Sequence, residues 1–254
     1  MTKRIDEETL AILSRVTVSG CNVHLTCGQL DRKQYQAVNE VLENIGGKWN
    51  RKEKAHVYSE DPTDKLENVL LTGEITPPKK YGYFPTPEGL ARKVVEMADI
   101  RAGHLVLEPS AGQGAIAKHV PANAHIDCIE FLPDNVAVLD RMGMNVIHAD
   151  FMQVEKKGLY HRVVMNPPFE KQQDIDHVLH AWGCLKNGGK LVSIMSSGVL
   201  FRENKKTEMF RGMISDLGSA ERLPDGSFKE SGTMVNTCVV VLDKPEDYVE
   251  VNRN

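Results

Sequence analysis

The chain has 254 residues, of which 41% are hydrophobic and 26% charged, with a formal net charge of −4. That length buries a core for one large domain, or one domain with a small addition, and the balance excludes a disordered or fibrous protein. It also excludes a global basic field, so any nucleic-acid partner must be held by a local patch.

No apolar run approaches the roughly 20 residues of a membrane-spanning helix; Val239–Leu242 is representative. Met1 to Leu10 is charged and lacks the apolar core of a secretion signal. The five cysteines are an odd number with no CxxC pair. The expectation is a cytoplasmic protein with no membrane association and no disulfide framework.

Two parts are expected: a small N-terminal α+β module over residues 1–80 and a larger domain over 81–254. The paired prolines of Thr76-Pro77-Pro78-Lys79-Lys80 mark the linker. In the first part Asn22–Thr26 reads as a strand. Asp31 caps a helix reaching about Asn44, whose apolar Tyr35, Val38, Leu42 and Ile45 recur every three or four residues. Gly46-Gly47 ends it. Lys48–Tyr58 reads as a hairpin, and Pro62 opens a helix through Leu71 that Gly73 stops.

The second part alternates. A helix over Glu88–Ala98 precedes a strand at His104–Glu108, a glycine turn and a helix near Ala115–His119. Strands follow at His125–Glu130, Asn145–His148, Arg162–Met165 and Lys190–Met195. Pro133 opens one helix, and others cover about Ile175–Leu185 and Lys206–Asp216. Thr233–Leu242 is the last strand. Repeated strand–helix units predict a parallel sheet with helices on both faces, and ligands beyond the carboxyl ends of its strands.

The residues suited to chemistry fall at those ends. Leu107-Glu108-Pro109-Ser110-Ala111-Gly112-Gln113-Gly114 is a strand ending in an acid, then a turn of small residues. Such a turn lets a ligand approach the backbone. Glu130 ends the next strand at about the 20-residue spacing of a ribose-binding acid. Asp150, with Phe151 beside it, follows the third strand. Three carboxylates in a row suit a nucleoside ligand, a dinucleotide included. After the fourth strand comes Asn166-Pro167-Pro168-Phe169.

The Glu-Pro-Ser-Ala-Gly-Gln-Gly turn combined with Asn-Pro-Pro-Phe resembles the amino-methyltransferases of the class I S-adenosylmethionine fold, over roughly Tyr83 to Leu242. The resemblance implies a Rossmann-like, mostly parallel seven-stranded sheet and S-adenosyl-L-methionine as cofactor. It places Glu108, Pro109, Ser110, Ala111, Gly112, Gly114, Glu130, Asp150, Phe151 and Asn166 around that cofactor. The Asn166 side-chain oxygen and the Pro167 carbonyl would each accept an N–H of an exocyclic amine. That would free the amine lone pair to attack a methyl group, while Pro168 stiffens the loop and Phe169 stacks on the base.

Tyr83-Phe84-Pro85-Thr86-Pro87 is similar to the Phe-x-Thr-Pro element that opens many DNA adenine methyltransferases, which implies cofactor contacts at Phe84, Pro85 and Thr86. The motif order resembles the gamma arrangement. No target-recognition domain after the catalytic loop is recognisable, which resembles the stand-alone enzymes of phage and mobile elements. The expected activity is adenine-N6 methylation of duplex DNA. An RNA amino-methyltransferase and a catalytically silent nucleic-acid-binding protein are the alternatives.

For the nucleic acid, Lys48, Trp49, Arg51, Lys52 and Lys54 set four cations and an aromatic ring against the single acid Glu53. Arg202, Lys205 and Lys206, with Arg211, are a second candidate patch, and Phe228 a candidate for packing a flipped base. Each has a purely structural reading as a solvated face or a core aromatic. No metal site is expected: Cys21 and Cys27 lie three residues either side of His24, on the opposite face of an extended strand, and His56 adds one ligand at most. His177 and His180, one helical turn apart, read as surface residues.

Overall fold

The computed structural model describes residues 4–26, 28–74, 84–155 and 157–249. The predicted linker 76–80, Tyr83 and Cys27 lie outside the described residues. The chain forms two compact units.

The first unit is built from Met1–Phe84 together with Ser196–Glu208 and Leu223–Thr237. It opens with α1 (Glu7–Leu13), capped by the Asp6 carboxylate on the Thr9 amide at 2.9 Å. The strands β1 (Thr17–Ser19) and β2 (Asn22–His24) follow as an antiparallel pair. α2 (Arg32–Asn44) starts in a capping box, with Asp31 accepting from the Gln34 amide and Gln34 accepting from the Asp31 amide. β3 (Lys48–Asn50) and β4 (Ala55–Val57) form the expected hairpin, and α3 (Thr63–Thr72) ends at Gly73 in the left-handed region. The sheet order is β1-β2-β4-β3.

A boundary at residue 80 does not describe this unit, because two later segments belong to it. Arg202 is 4% exposed and ion-paired to Asp64 at 2.7 Å and Glu67 at 2.6 Å, both on α3. The Ser196 hydroxyl also bonds Glu67. The Thr233 hydroxyl donates to the Leu70 carbonyl at 2.8 Å, and the Asn236 amide donates to the Ser14 carbonyl.

The second unit comprises Pro85–Met195, Met209–Arg222 and Cys238–Asn254. In chain order its elements are α4 (Glu88–Met97), β5 (Leu105–Pro109), β6 (His125–Glu130), α5 (Pro133–Arg141), β7 (Asn145–His148), β8 (Tyr160–Met165), α6 (Gln173–Cys184) and β9 (Leu185–Ser196). α7 (Lys205–Leu217), β10 (Gly218–Arg222) and β11 (Thr237–Asp243) complete the seven-stranded order β10-β11-β9-β8-β5-β6-β7. β5, β6, β7, β8 and β9 run parallel, and β10 pairs antiparallel with β11. The central strands are apolar on both faces, as a doubly covered sheet requires. This is the Rossmann-like architecture the sequence predicts, with its order reversing beside β5.

Two expectations change, and one strand, β10, was not foreseen. No α-helix follows the glycine turn, only a 3-10 turn at Ala117–His119, because Val120 must be extended before Pro121. β10 has poor strand propensity in Gly-Ser-Ala-Glu-Arg. It forms by pairing with β11, where a Cβ on Gly218 would overlap the Val241 carbonyl. The last strand begins at Thr237 rather than Thr233, since Thr233 and Asn236 are committed to the first unit.

Candidate active site

The carboxyl ends of β5 and β6 hold two buried acids that are handled differently. Glu130 is 6% exposed, and its two oxygens accept the Gly112 amide and the Leu132 amide, each at 2.7 Å. It clamps the glycine turn to the strand exit and keeps further lone pairs for a ligand. Glu108 is 3% exposed, and its Oε2 has no hydrogen-bond partner. Burial pushes the Glu108 carboxyl well above its ordinary value, reinforced by the charge of Glu130 and opposed by a hydrogen bond from the Ala117 backbone. A buried carboxylate oxygen left unsatisfied is costly, and such atoms mark places where a polar ligand binds.

The turn between these acids is itself constrained. Pro109, Ala111, Gly112 and Gly114 are buried. Ser110 adopts φ +59°, a left-handed conformation costing a non-glycine residue about 1–2 kcal/mol. Its Oγ meets His177 Nδ1 at 3.3 Å. Burial drops the His177 pKa to about 4, against the opposing charges of Asp150 and Asp176, so the ring is neutral near pH 7. Phe151 is 3% exposed and packs on the His177 ring at 5.7 Å and the His180 ring at 4.8 Å. His180 is 8% exposed and meets the Val154 carbonyl at 2.8 Å. These two histidines are therefore part of the site's floor and not surface residues. Asp150 is exposed and caps its own turn through the Met152 amide at 3.0 Å. Phe131, directly after Glu130, is 54% exposed.

Asn166 follows β8. Its Nδ2 donates to Thr86 Oγ1 at 3.0 Å, and Thr86 is 8% exposed. The opening element thus grips the loop, in addition to any contact with a ligand. With the donor end of the amide on Thr86, the other end is the acceptor oxygen, which is buried in this conformation. Pro167 is buried and Pro168 half-buried, and neither offers an N–H. Phe169 is 7% exposed, so in this conformation it anchors the loop and presents no open face to a base. Lys171 and Gln172 follow at φ +52° and +60°. Of the opening element, Phe84 is half-buried and Pro85 exposed.

The expected nucleic-acid contacts divide. Lys48, Trp49, Arg51, Lys52 and Lys54 are exposed on the β3–β4 hairpin. Lys205 is exposed and Lys206 half-buried at the start of α7. Arg202 is not available to phosphate, because Asp64 and Glu67 hold it in a buried ion pair. Phe228 is fully buried and serves as a core aromatic of the first unit, not as a cover for a flipped base. His56 is buried and bonded to Asn39 at 2.8 Å.

Residues 149–252 match the family model described as N-6 DNA Methylase. Over 90 residues, 34% of the chain, the sequence is 32% identical to the mycinamicin-resistance protein MyrB of Micromonospora griseorubida, and this stretch covers 29% of MyrB. A methyltransferase subunit of a type I restriction-modification system from Streptococcus thermophilus aligns with TM-score 0.57 and 19% identity over 65% of this chain and 46% of that one. The M protein of the type I restriction enzyme EcoKI aligns with TM-score 0.53 and 17% identity over 94% of this chain and 58% of that one. The chain spans under a third of MyrB and about half of the Streptococcus subunit. What it shares with both solved structures is the class I methyltransferase fold.

Proposed function

We propose that this chain, whose residues 149–252 match the N-6 DNA Methylase family, transfers the methyl group of S-adenosyl-L-methionine to the N6 amine of adenine in duplex DNA. The observation that carries the reading is the Asn166 amide, gripped by Thr86 on its donor end, just after the strand that pairs with the Glu108 strand, which in turn pairs with the Glu130 strand.

The site fits the cofactor on its own chemistry. Glu108 supplies a buried carboxylate oxygen lacking a partner, suited to an ammonium group, and Glu130 has lone pairs left for ribose hydroxyls. Asp150 offers an exposed carboxylate and Phe131 an exposed ring for the adenine moiety. When bound, S-adenosylmethionine supplies an electrophilic sulfonium methyl group.

The exocyclic amine of adenine is a poor nucleophile because its lone pair is delocalised into the ring. Asn166 Oδ1 accepts one amine N–H and the Pro167 carbonyl the other. Both bonds strengthen as the nitrogen becomes tetrahedral, so they favour the transition state over the ground state. The two prolines remove competing backbone donors and fix the spacing of the acceptors. As the N–C bond forms, the methyl–sulfur bond would break with its electron pair left on sulfur as a thioether, and the surplus amine proton would pass to water. Reaching the base requires extruding it from the duplex at a cost of a few kcal/mol, which contacts to the DNA backbone must offset.

The test is transfer of a labelled methyl group to unmethylated duplex DNA, with structured RNA and bulk protein as parallel acceptors. Label in DNA adenine supports the assignment. Label confined to RNA or protein would replace the substrate while leaving the fold untouched.

A further inference from the structure

We propose that the β3–β4 hairpin is a nucleic-acid contact in its own right, in which Trp49 stacks on one unpaired base while Arg51, Lys52 and Lys54 bind the phosphates around it. The DNA identity of the partner rests on the function proposed above.

The strand β3 is the outer strand of its sheet, and all three of its residues are exposed. Trp49 is 42% exposed, although its ring is held edge-on against the buried His56 ring at 5.2 Å and 61°. A tryptophan that served only the core would be covered. This one is anchored on one side and open on the other, as a stacking platform requires. Beside it is a shallow, half-open groove whose lining includes Gly46, Lys48, Asn50, Val57 and Tyr58.

The tip of the hairpin is shaped in advance. Asn50 Oδ1 accepts the Lys52 amide at 2.9 Å and the Glu53 amide at 3.3 Å, and Lys54 closes the turn at φ +50°. Lys48, Arg51, Lys52 and Lys54 are exposed, and among the described residues none of them is in an ion pair. Lys48 on β3 and Arg51, Lys52 and Lys54 on the turn, with Glu53 as the one acid among them, leave this hairpin locally basic in a chain of net charge −4 and so complementary to a polyanion. An open indole between them favours nucleic acid over an acidic peptide, because every base offers a π face.

The chain has two tryptophans, and Trp182 is only 6% exposed. A Trp182→Phe protein therefore reports Trp49 alone. It is titrated with one DNA sequence as a paired duplex, as a duplex carrying a single bulged adenine, and as a single strand, at several salt concentrations. The RNA counterpart runs alongside, with thermal midpoint and cofactor affinity as fold controls.

The expected result is quenching of Trp49 fluorescence and tighter binding of the bulged and single-stranded DNA than of the paired duplex. Trp49→Ala weakens binding of the bulged probe about tenfold or more, the loss expected for one base–aromatic stack. Replacing Arg51, Lys52 and Lys54 together by Ala flattens the dependence of log K on log salt by about 2–3 on every probe. Absence of quenching, or parental affinity in both variants, overturns the proposal. Quenching by RNA alone overturns its DNA assignment. Methyl transfer by the parent protein is scored separately, so failure of the proposed reaction is read independently of this titration.

Discussion

Thr86→Val removes one oxygen and keeps the shape of a side chain that is 8% exposed. The variant takes away the acceptor that lies 3.0 Å from Asn166 Nδ2. A donor left unsatisfied in a partly buried site costs about 1–3 kcal/mol, and the amide relieves that cost by rotating away from the orientation that presents Oδ1. If the full amount is lost from transition-state stabilisation, the methyl-transfer rate falls by roughly 5- to 150-fold. Thr86→Ser retains the hydroxyl and is expected to stay within about threefold of the parent. The assay is single-turnover transfer at saturating DNA, with cofactor affinity measured by calorimetry on the same proteins. An unchanged rate in Thr86→Val would refute the argument that this hydrogen bond orients Asn166. A rise in cofactor Kd that accounts for the whole loss would show Thr86 to be a cofactor contact only, as the sequence resemblance implies.

Three further outcomes follow from the same geometry. Glu130→Gln turns one amide nitrogen toward the Gly112 or Leu132 N–H, a donor facing a donor, and is expected to cost about 2–3 kcal/mol; paired chemical denaturation and cofactor calorimetry should show lower stability and weaker binding together. Arg202→Ala leaves the Glu67 carboxylate buried without its cation and lowers stability by about 3–5 kcal/mol, measured as a denaturation midpoint shift, whereas Arg202→Met with Glu67→Leu recovers most of it. The His177 pKa is lowered to about 4, so the unfolded chain binds its proton first as pH falls. The stability this imidazole confers is complete above about pH 6.5 and is lost progressively toward pH 4, by up to about 3 kcal/mol. His177→Gln should flatten that part of the stability-versus-pH curve relative to the parent.

Apart from β10, the alternating strands and helices of the second unit were legible because each carries its own signal. β6 and β7 carry short apolar stretches, Cys128-Ile129 and Val146-Ile147, bounded by turns, and Pro133 opens α5; in the first unit Asp31 with Gln34 forms a complete capping box. The acid row was legible for the same reason: an acid at a strand end depends on a single register. What was not legible depends on contacts across the sequence. β10 exists through pairing with β11, and Arg202 is drawn into the first unit by acids more than a hundred residues earlier. Nothing local distinguishes Arg202 from the exposed Lys205. Phe228 likewise reads as a loop aromatic until its burial is seen. His177 and His180 had a usable signal, their one-turn spacing on the helix after the Asn-Pro-Pro-Phe loop, but their partner Phe151 arrives from another strand end. The role of Thr86 as a grip on Asn166 was hidden because the two residues meet only in the folded sheet.

The central claim is that the Asn166 amide activates an adenine amine. The most direct measurement is nucleoside mass analysis of duplex DNA after incubation with S-adenosylmethionine and either the parent protein or Asn166→Ala, with cofactor affinity confirmed for both. N6-methyladenine is expected from the parent, with a loss of at least about a hundredfold in the variant at unchanged cofactor affinity. Equal product from the two proteins, or no methylated adenine from a parent that binds the cofactor, would contradict it.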